Sequence, residues 1–410
     1  MIDPVFRWST EVGLKKRNEL ISAFQRGDAD WPKILEGFIG VKEIPNGRDL
    51  RGIHLSGMDF RGIKLERVHF EMSHLEGCQF SNASLKYTIF RDANLSNCDL
   101  SHADVSGADF QNANLSGTKC MDLIAKGTRF SGCQLDQTDF SRANLSGADL
   151  RNAILGDSNM TQVNANFASL SGIKADGLNA HGSSFQKSNW FKAQISNADL
   201  SETLFTEADL SCVKAVGTNF SKAVFCRAKL VDADLSDSRL LQIVADQANF
   251  SSSMLSGADF SGAILNHAVL NQTYAGRPVQ FSEVKADGSR FQNVVLEQSV
   301  FSRSHLSEAN LTAANLSRCV FQGCILKKAI CSRTNMNQAD LTDADLGEAV
   351  LYETILRTSN LTRARFESTS LSGDMIFGAT VEGAILPPET AMSMDNAQTK
   401  GTPVYASTAN

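Results

Sequence analysis

From Leu50 to Leu386 the chain places a Leu, a Phe or a smaller apolar residue at every fifth position, with one slip of register. A period of five matches neither the repeat of an α-helix nor the two-residue repeat of a flat strand. It fits a closed coil in which each side is one short extended segment followed by a corner. A fixed repeat decides the architecture before any local propensity does.

Each five-residue unit pairs one large inward residue with one small one. In residues 113–117 the centre is Leu115, and Ala113 lies two residues before it. Side chains alternate along an extended segment, so these two point to the same, inner side. The other positions are mostly polar or Gly. Gly recurs two residues after the centre, as at Gly57 and Gly147, where a corner needs a permissive backbone.

The alternation of Phe and Leu indicates how many sides a coil has. In the first stretch Phe occurs only at alternate centres, namely Phe60, Phe70, Phe80, Phe90, Phe110, Phe130 and Phe140. Three sides would scatter Phe over every side, so the number of sides must be even. Four sides of five residues give a twenty-residue coil with Phe stacked on two opposite sides.

The recurring pattern Ala-Asp/Asn-Leu-x-x, as in Ala113–Leu115 and Ala143–Leu145, resembles the pentapeptide-repeat family. The resemblance covers roughly four-fifths of the chain. It implies an all-β solenoid, namely a right-handed quadrilateral parallel β-helix. About 68 units on four sides would give about 17 coils, with a length of about 80 Å at the usual strand spacing.

We expect residues 1–45 to form a helical N-terminal cap. The first predicted helix, Glu11–Gln25, has an apolar side made of Leu14, Leu20, Ile21 and Phe24. A second helical stripe consists of Trp31, Ile34, Leu35, Phe38 and Ile39, with Asp30 and Gly40 as its caps. Solenoids need such a cover over their open end. The alternative is a docking element that uses the basic run 15–17.

The repeat itself extends over residues 46–386, with a register slip at 273–280. After Leu386, two prolines and a polar sequence with few large apolar residues predict a disordered tail over 387–410. Tyr274 and Arg277 are the most contact-capable residues of the slip, because Tyr and Arg favour interface cores. Neutral drift at a corner is the alternative explanation of the slip.

A second candidate surface is an apolar ladder in the outward position just before the centre. Its members are separated by one predicted coil each: Leu204, Val224, Val244 and Ile264. Most equivalent positions carry Asp or Asn. The ladder either stabilises stacked strands, as β-branched neighbours do, or contacts a partner or a second copy of this chain.

The sequence gives little support to catalysis, and we predict that the protein is not an enzyme. Acidic residues recur in the outward position before a centre, so repetition alone explains them. No phosphate-cradling loop, nucleophile elbow or zinc-hydrolase helix occurs, and we expect neither a cofactor nor a metal. Most of the 9 Cys replace small core residues or centres. Cys78 and Cys98 would stack, so a disulfide between them is geometrically conceivable, but a reducing compartment disfavours it.

The expected function is a non-catalytic protein–protein interaction scaffold on a rigid repeat rod. The resemblance also implies two alternatives, a DNA-mimicking binder of DNA gyrase or topoisomerase that protects against quinolones, and a secreted or secretion-associated effector. Residues 46–386 hold 36 acidic and 31 basic side chains. Duplex DNA of about 80 Å carries about 47 charges, so mimicry by overall charge is poor.

We therefore expect a protein partner of unknown identity, or a second copy of the chain forming a homodimer. The net charge of −6 and the absence of a basic stripe argue against direct nucleic-acid binding. No apolar run is long enough to span a membrane, and no signal-peptide pattern precedes residue 40. A bacterial cytoplasmic protein is expected, with secretion as an effector, without a classical signal peptide, as the alternative.

Overall fold

The computed structural model describes residues 3–38 and 47–406, apart from the side chains of Met392, Asp395 and Asn396. Its Cα positions divide into two compact units, Met1–Leu204 and Phe205–Asn410, which are described in turn. The predicted end of the cap at residue 45, and the predicted helix residues Ile39 and Gly40, lie outside the described residues.

The N-terminal segment contains a 3-10 helix at Phe6–Ser9, helix α1 at Glu11–Gln25 and a second 3-10 helix at Trp31–Leu35. Helix α1 has the predicted bounds. The Thr10 hydroxyl caps it by accepting a hydrogen bond from the Gly13 amide at 3.0 Å. Leu20 and Phe24 are buried as expected, but Leu14 is 41% exposed. The prediction that Leu14 belongs to the apolar side is therefore wrong.

The second predicted helix is only the five-residue 3-10 helix, so the prediction of a stripe through Phe38 is wrong in its length. Glu36 already has an extended backbone, and Gly37 adopts φ +68°. A left-handed glycine directly after the last turn ends a helix. Asp30 makes no capping hydrogen bond, and its carboxylate instead accepts one from Lys33 Nζ at 3.0 Å.

The N-terminal segment covers the first described coil of its unit. The ring of Phe24 lies edge-on against Phe60, with 5.2 Å between centroids. Arg7 donates two hydrogen bonds to the buried carboxylate of Asp49, at 2.9 and 2.8 Å. A buried bidentate ion pair of this kind fixes both the position and the orientation of the two side chains. These contacts hold the N-terminal segment against the first described coil.

In unit 1 the coils are held by parallel pairing at a constant separation of twenty residues. Strands β1 (Arg48–Asp49) and β2 (Val68–His69) pair in parallel. Beyond them each side contributes a one-residue bridge, as between Asn94 and Asn114. The amide of each centre donates to the next coil, as Leu95 does to the carbonyl of Asn114 at 2.7 Å. This register agrees with the predicted four-sided coil of twenty residues.

The interior of unit 1 is a stack of buried centres. Phe rings one coil apart lie nearly parallel, as in the series Phe70, Phe90, Phe110, with centroid distances of 5.4 and 4.7 Å. The small inward residues are buried too. Where they carry a hydroxyl, it bonds to a backbone carbonyl, as Thr88 does to Leu65 at 2.7 Å. Polar atoms in the core are thus satisfied locally.

The corners have one backbone conformation throughout. Every residue two after a centre has a positive φ, from Gly52 to Gln272 and from Glu283 to Ser368. Most of these residues are not Gly, although the left-handed region disfavours residues with a Cβ. The closed coil therefore imposes this conformation on whatever residue stands at the corner.

Unit 2 has the same pairing, with one coil lengthened by a residue. Asp259 pairs with Gln280 and Tyr274 with Val295, at separations of twenty-one, and Gln280 then pairs with Val300 at twenty. The extra residue lies among Gly276, Arg277 and Pro278, which are all exposed. The structure thus contains the predicted register slip as a local bulge.

The chain after Leu386 is ordered up to residue 406, so the prediction of a disordered tail is wrong for the described residues. A 3-10 helix spans Pro388–Asn396, and strand β4 (Val404–Tyr405) pairs in parallel with β3 (Ile385–Leu386). The contacts are made by small residues: Thr390 and Ala397 are buried. Few large apolar residues are needed to cover a coil this narrow.

Candidate interaction surfaces

The acidic residues before the centres have a structural role. Asp99 Oδ1 accepts a hydrogen bond from the Ser101 amide at 2.9 Å, and Asn94 does the same for Ser96 at 3.1 Å. A short acceptor that bonds the amide two residues on stabilises a turn. The same bond is made by the other acidic residues singled out in the sequence, namely Asp109, Asp139, Asp149, Asp199 and Asp209. These carboxylates are therefore elements of the corners.

The predicted apolar ladder is present in unit 2 as a column of paired residues. Val224 pairs with Val244, and Val244 pairs with Ile264. All three are partly exposed, so they present a narrow apolar strip at the surface. Leu204 belongs to unit 1, where it pairs with Ser184 and is 37% exposed.

Tyr274 lies on a different side of the coil from the ladder. Ile264 precedes the centre Leu265, whereas Tyr274 precedes Ala275, two sides further along the chain. Tyr274 is 54% exposed and pairs with Met254 and Val295. The predicted contact residues of unit 2 therefore form two separate surfaces.

Arg277 is held by an intramolecular ion pair. Its Nη2 donates to the carboxylate of Asp237, at 2.6 Å to Oδ1 and 2.5 Å to Oδ2, and this hydrogen bond raises the pKa of Arg277. The side chain reaches Asp237 across Gly257, where an added Cβ would lie 3.2 Å from the guanidinium carbon. Because Gly257 has no side chain, the arginine can cross the intervening coil.

Sequence reasoning missed Met254, which is 45% exposed beside Tyr274. The signal was available, because Met254 stands twenty residues before Tyr274 in the same position of its unit. It also missed a stacked pair of imidazoles near α1, where the rings of His54 and His74 lie 4.1 Å apart at an angle of 8°. His74 Nδ1 in turn lies 3.4 Å from Glu76 Oε1.

The nine cysteines are free thiols, and seven of them are buried. Cys78 and Cys98 donate to backbone carbonyls of Leu55 and Leu75, each at 3.0 Å. Burial raises the pKa of the Cys331 thiol to about 12, which suppresses its thiolate. Over residues 3–38 and 47–406, no group of three or more His, Cys, Asp or Glu side chains is arranged to hold a metal ion. No helix in the described part of the chain is both long and apolar enough to cross a membrane.

Parallel pairing at a separation of twenty residues, or twenty-one across the slip, around buried apolar centres defines a β-solenoid repeat protein. The chain belongs to the pentapeptide-repeat family. The family model for pentapeptide repeats matches eight copies, which together cover more than half of the chain, at residues 78–117, 126–157, 191–227, 205–242, 228–272, 280–318, 304–343 and 339–373. Members of this family fold as right-handed quadrilateral β-helices.

Solved structures of the same family resemble the chain at low sequence identity. A trypsin-treated variant of QnrB1, a plasmid-mediated fluoroquinolone resistance protein, is 21% identical, with 40% of this chain and 89% of that chain covered and a TM-score of 0.31. HetL, which is involved in heterocyst differentiation regulation in Nostoc sp. strain PCC 7120, is 24% identical, with coverages of 54% and 89% and a TM-score of 0.21. A pentapeptide repeat protein from the Arabidopsis thaliana thylakoid lumen is 26% identical, with coverages of 30% and 81% and a TM-score of 0.18. No curated protein matches the sequence.

Proposed function

We propose that the protein is a non-catalytic protein–protein interaction scaffold built on its pentapeptide-repeat fold. The observation that carries this proposal is how the polar groups are used. Backbone amides bond from coil to coil, and the recurring Asp and Asn side chains bond to the corners. The exposed apolar side chains that stand in defined columns take part in neither kind of bond, so they are available for recognition.

The ladder of Val224, Val244 and Ile264 is one of these columns. Isolated exposed apolar residues are common on protein surfaces, whereas large contiguous apolar patches mark contact sites. At the usual strand spacing three paired residues make a strip of about 10 Å. A protein partner or a second copy would bury this strip, and a flat face of stacked strands offers it without rearrangement.

Affinity capture with crosslinking, using the full chain as bait, tests the proposal. We expect crosslinks to one protein partner to map to residues beside the ladder. The double variant Val224→Asp with Val244→Asp should abolish capture while leaving the unfolding temperature nearly unchanged, because both side chains point outward. Lys229→Asp with Asn249→Asp is the matched control, since these residues occupy the equivalent position on the next side of the same coils.

The same variants test the homodimer by solution mass. If the wild-type chain has the mass of a dimer and the ladder variant that of a monomer, the partner is a second copy. If the ladder variant retains both its mass and its captured partner, the ladder has no role in recognition. Failure of every surface variant to change capture would contradict the scaffold proposal.

A further inference from the structure

The side of unit 2 that carries the register slip has a second apolar column, here called the Tyr274 face and made of Met254, Tyr274 and Val295. The three residues pair in succession across neighbouring coils. Met254 is 45% and Tyr274 54% exposed, and Val295 is partly exposed. Tyr and Met are enriched where protein interfaces are buried.

One end of the Tyr274 face carries two acidic side chains and, one coil further back, a basic one. Asp234 continues the column, since it pairs with Met254 from the preceding coil, and it is only partly covered. Asp232 stands exposed at the corner before it. The nearest basic side chain in the column is Lys214, which pairs with Asp234 from one coil further back. At the other end Glu297 is exposed and accepts a hydrogen bond from Asn315 Nδ2 at 2.6 Å.

Two contacts hold the corner beside the face. Arg277 and Asp237 are joined by their ion pair across Gly257, so the arginine neutralises that carboxylate. The amide of Gly276 donates to Ser256 Oγ at 2.8 Å, which ties the extra residue down. A partner would therefore meet a preformed surface, which lowers the entropic cost of docking.

We infer that the Tyr274 face binds an amphipathic helix of a protein partner, with a basic residue of that helix meeting Asp234 and its apolar residues covering Met254, Tyr274 and Val295. This inference rests on the proposed function and names the chemistry of the partner. The expected partner is a helix with Lys or Arg one turn before an apolar stripe.

The spacing of the column favours a helix over an extended segment. Neighbouring coils are about 4.8 Å apart, and successive turns of an α-helix are about 5.4 Å apart. Over the three steps from Asp234 to Val295 the mismatch is about 2 Å. Alternate side chains of a strand lie about 6.7 Å apart, so a strand along the same column would be out of step by about 6 Å.

The probe is a fluorescent, acetylated and amidated alanine-rich helical peptide with Arg at its fourth position and Leu at its eighth, eleventh and fifteenth. One control peptide replaces the Arg by Glu, and another moves the leucines to the opposite face. Anisotropy titration into the full chain should show saturable binding of the Arg peptide. Loss of a charged contact should weaken the Glu peptide about tenfold.

Protein variants assign the binding to this face. Met254→Ser with Tyr274→Ser should abolish binding, whereas Val224→Ser with Val244→Ser on the ladder should leave it unchanged. Asp234→Asn should bind the Arg and Glu peptides equally. This substitution removes the charge but keeps an acceptor for the Ser236 amide. Asn249, which stands in the same position of its own unit, accepts the corresponding hydrogen bond from the Ser251 amide at 3.0 Å.

The inference is overturned if the Arg peptide does not bind saturably, if the peptide with displaced leucines binds as well, or if the ladder variant rather than the Tyr274-face variant loses binding. Partner capture separates this result from the wider proposal. If the Tyr274-face variant still captures a partner that crosslinks at the ladder, the inference about the Tyr274 face is wrong and the scaffold proposal is still supported. No captured partner on any surface would contradict both.

Discussion

The Asp and Asn residues before the centres show how one side-chain type can look functional and be structural. Their oxygens accept a hydrogen bond from the amide two residues further along, and this bond occurs on all four sides of the coil. Their abundance could be predicted from the repeat, but the bond itself could not, because sequence alone does not give the direction of a side chain. The acidic surface is thus a consequence of how the corners are built.

Gly147 allows the backbone strain of a corner to be measured in isolation. It has φ +67°, and no atom lies within 4 Å of where its Cβ would be. Gly147→Ala should therefore lower the free energy of unfolding by about 1 kcal/mol through conformation alone. Urea denaturation measures the change, with Ser146→Ala as the control in the same unit. Equal stabilities of the two variants would show that these corners are unstrained.

His54 is the residue whose ionisation should be most informative. Partial burial lowers the pKa of His54, and so do the neighbouring charges of His74 and Arg17, while Glu76 opposes them. The folded chain therefore binds this proton less well than the unfolded chain does. Its contribution to stability is present above the unfolded value of 6.5 and is lost as the pH falls through that value towards the lowered folded pKa.

We predict that Arg17→Gln raises the pKa of His54, because it removes one of the positive charges beside the ring. The imidazole resonances of the full chain, followed by NMR against pH, measure this directly. His54→Gln should also reduce the fall in unfolding temperature between about pH 7 and about pH 5, as linkage requires. A pKa of His54 that is the same with and without Arg17 would disprove the electrostatic coupling between α1 and the first coils.

The elements at the two ends of the chain were predicted with unequal success. Helix α1 could be predicted to the residue because Glu11–Gln25 is polar and helix-prone, although Leu14 does not lie on its buried side. The following stripe had helical spacing, but Gly37 with φ +68° stopped the helix after five residues. At the other end, the predicted disorder rested on composition. Composition does not reveal that small buried residues such as Thr390 are enough to cover the interior of a narrow coil.

The C-terminal 3-10 helix should depend on one glycine. An added Cβ at Gly373 would overlap the carbonyl oxygen of Ser393, and the Gly373 amide donates to Ser393 Oγ at 2.7 Å. Gly373→Ala should therefore detach the segment 388–406 and make it sensitive to proteases, because the clash is with backbone. Limited proteolysis with mass spectrometry measures this.

The matched control is Gly347→Ala, whose added Cβ would overlap no backbone atom: it would lie 3.2 Å from Asp345 Oδ1 and 3.9 Å from the Glu367 carbonyl oxygen. Identical cleavage patterns in the two variants would mean that the tail is not held through Gly373. Cleavage within 388–406 in the Gly373 variant alone would show that the tail folds as a cover for the last coils of unit 2.

At the scale of the whole chain, the sequence was most informative about register. Every fifth centre, the corner positions and the slip at 273–280 could be predicted, because each depends on a local period that the coil repeats. The surfaces were harder. Ladder residues such as Val244 could be found from their spacing, and the side of Tyr274 follows from the same count because the break comes after it. Relative exposure, which distinguishes Met254 from its neighbours, depends on the side chains of three adjacent coils.

Contacts in each unit are made almost entirely between neighbouring coils, so the effect of a core cavity should stay local. Leu311 is fully buried, and its amide donates to Ile330 in the next coil at 2.7 Å. Leu311→Ala should cost about 3 kcal/mol. In a quasi-one-dimensional repeat this loss falls on the nearest coils, so hydrogen exchange should accelerate around residues 290–330 and remain slow at the pair Thr380 and Lys400. Asn310→Asp, which keeps the outward acceptor, is the control. Uniform acceleration over unit 2 would instead mean that the unit unfolds as one cooperative block.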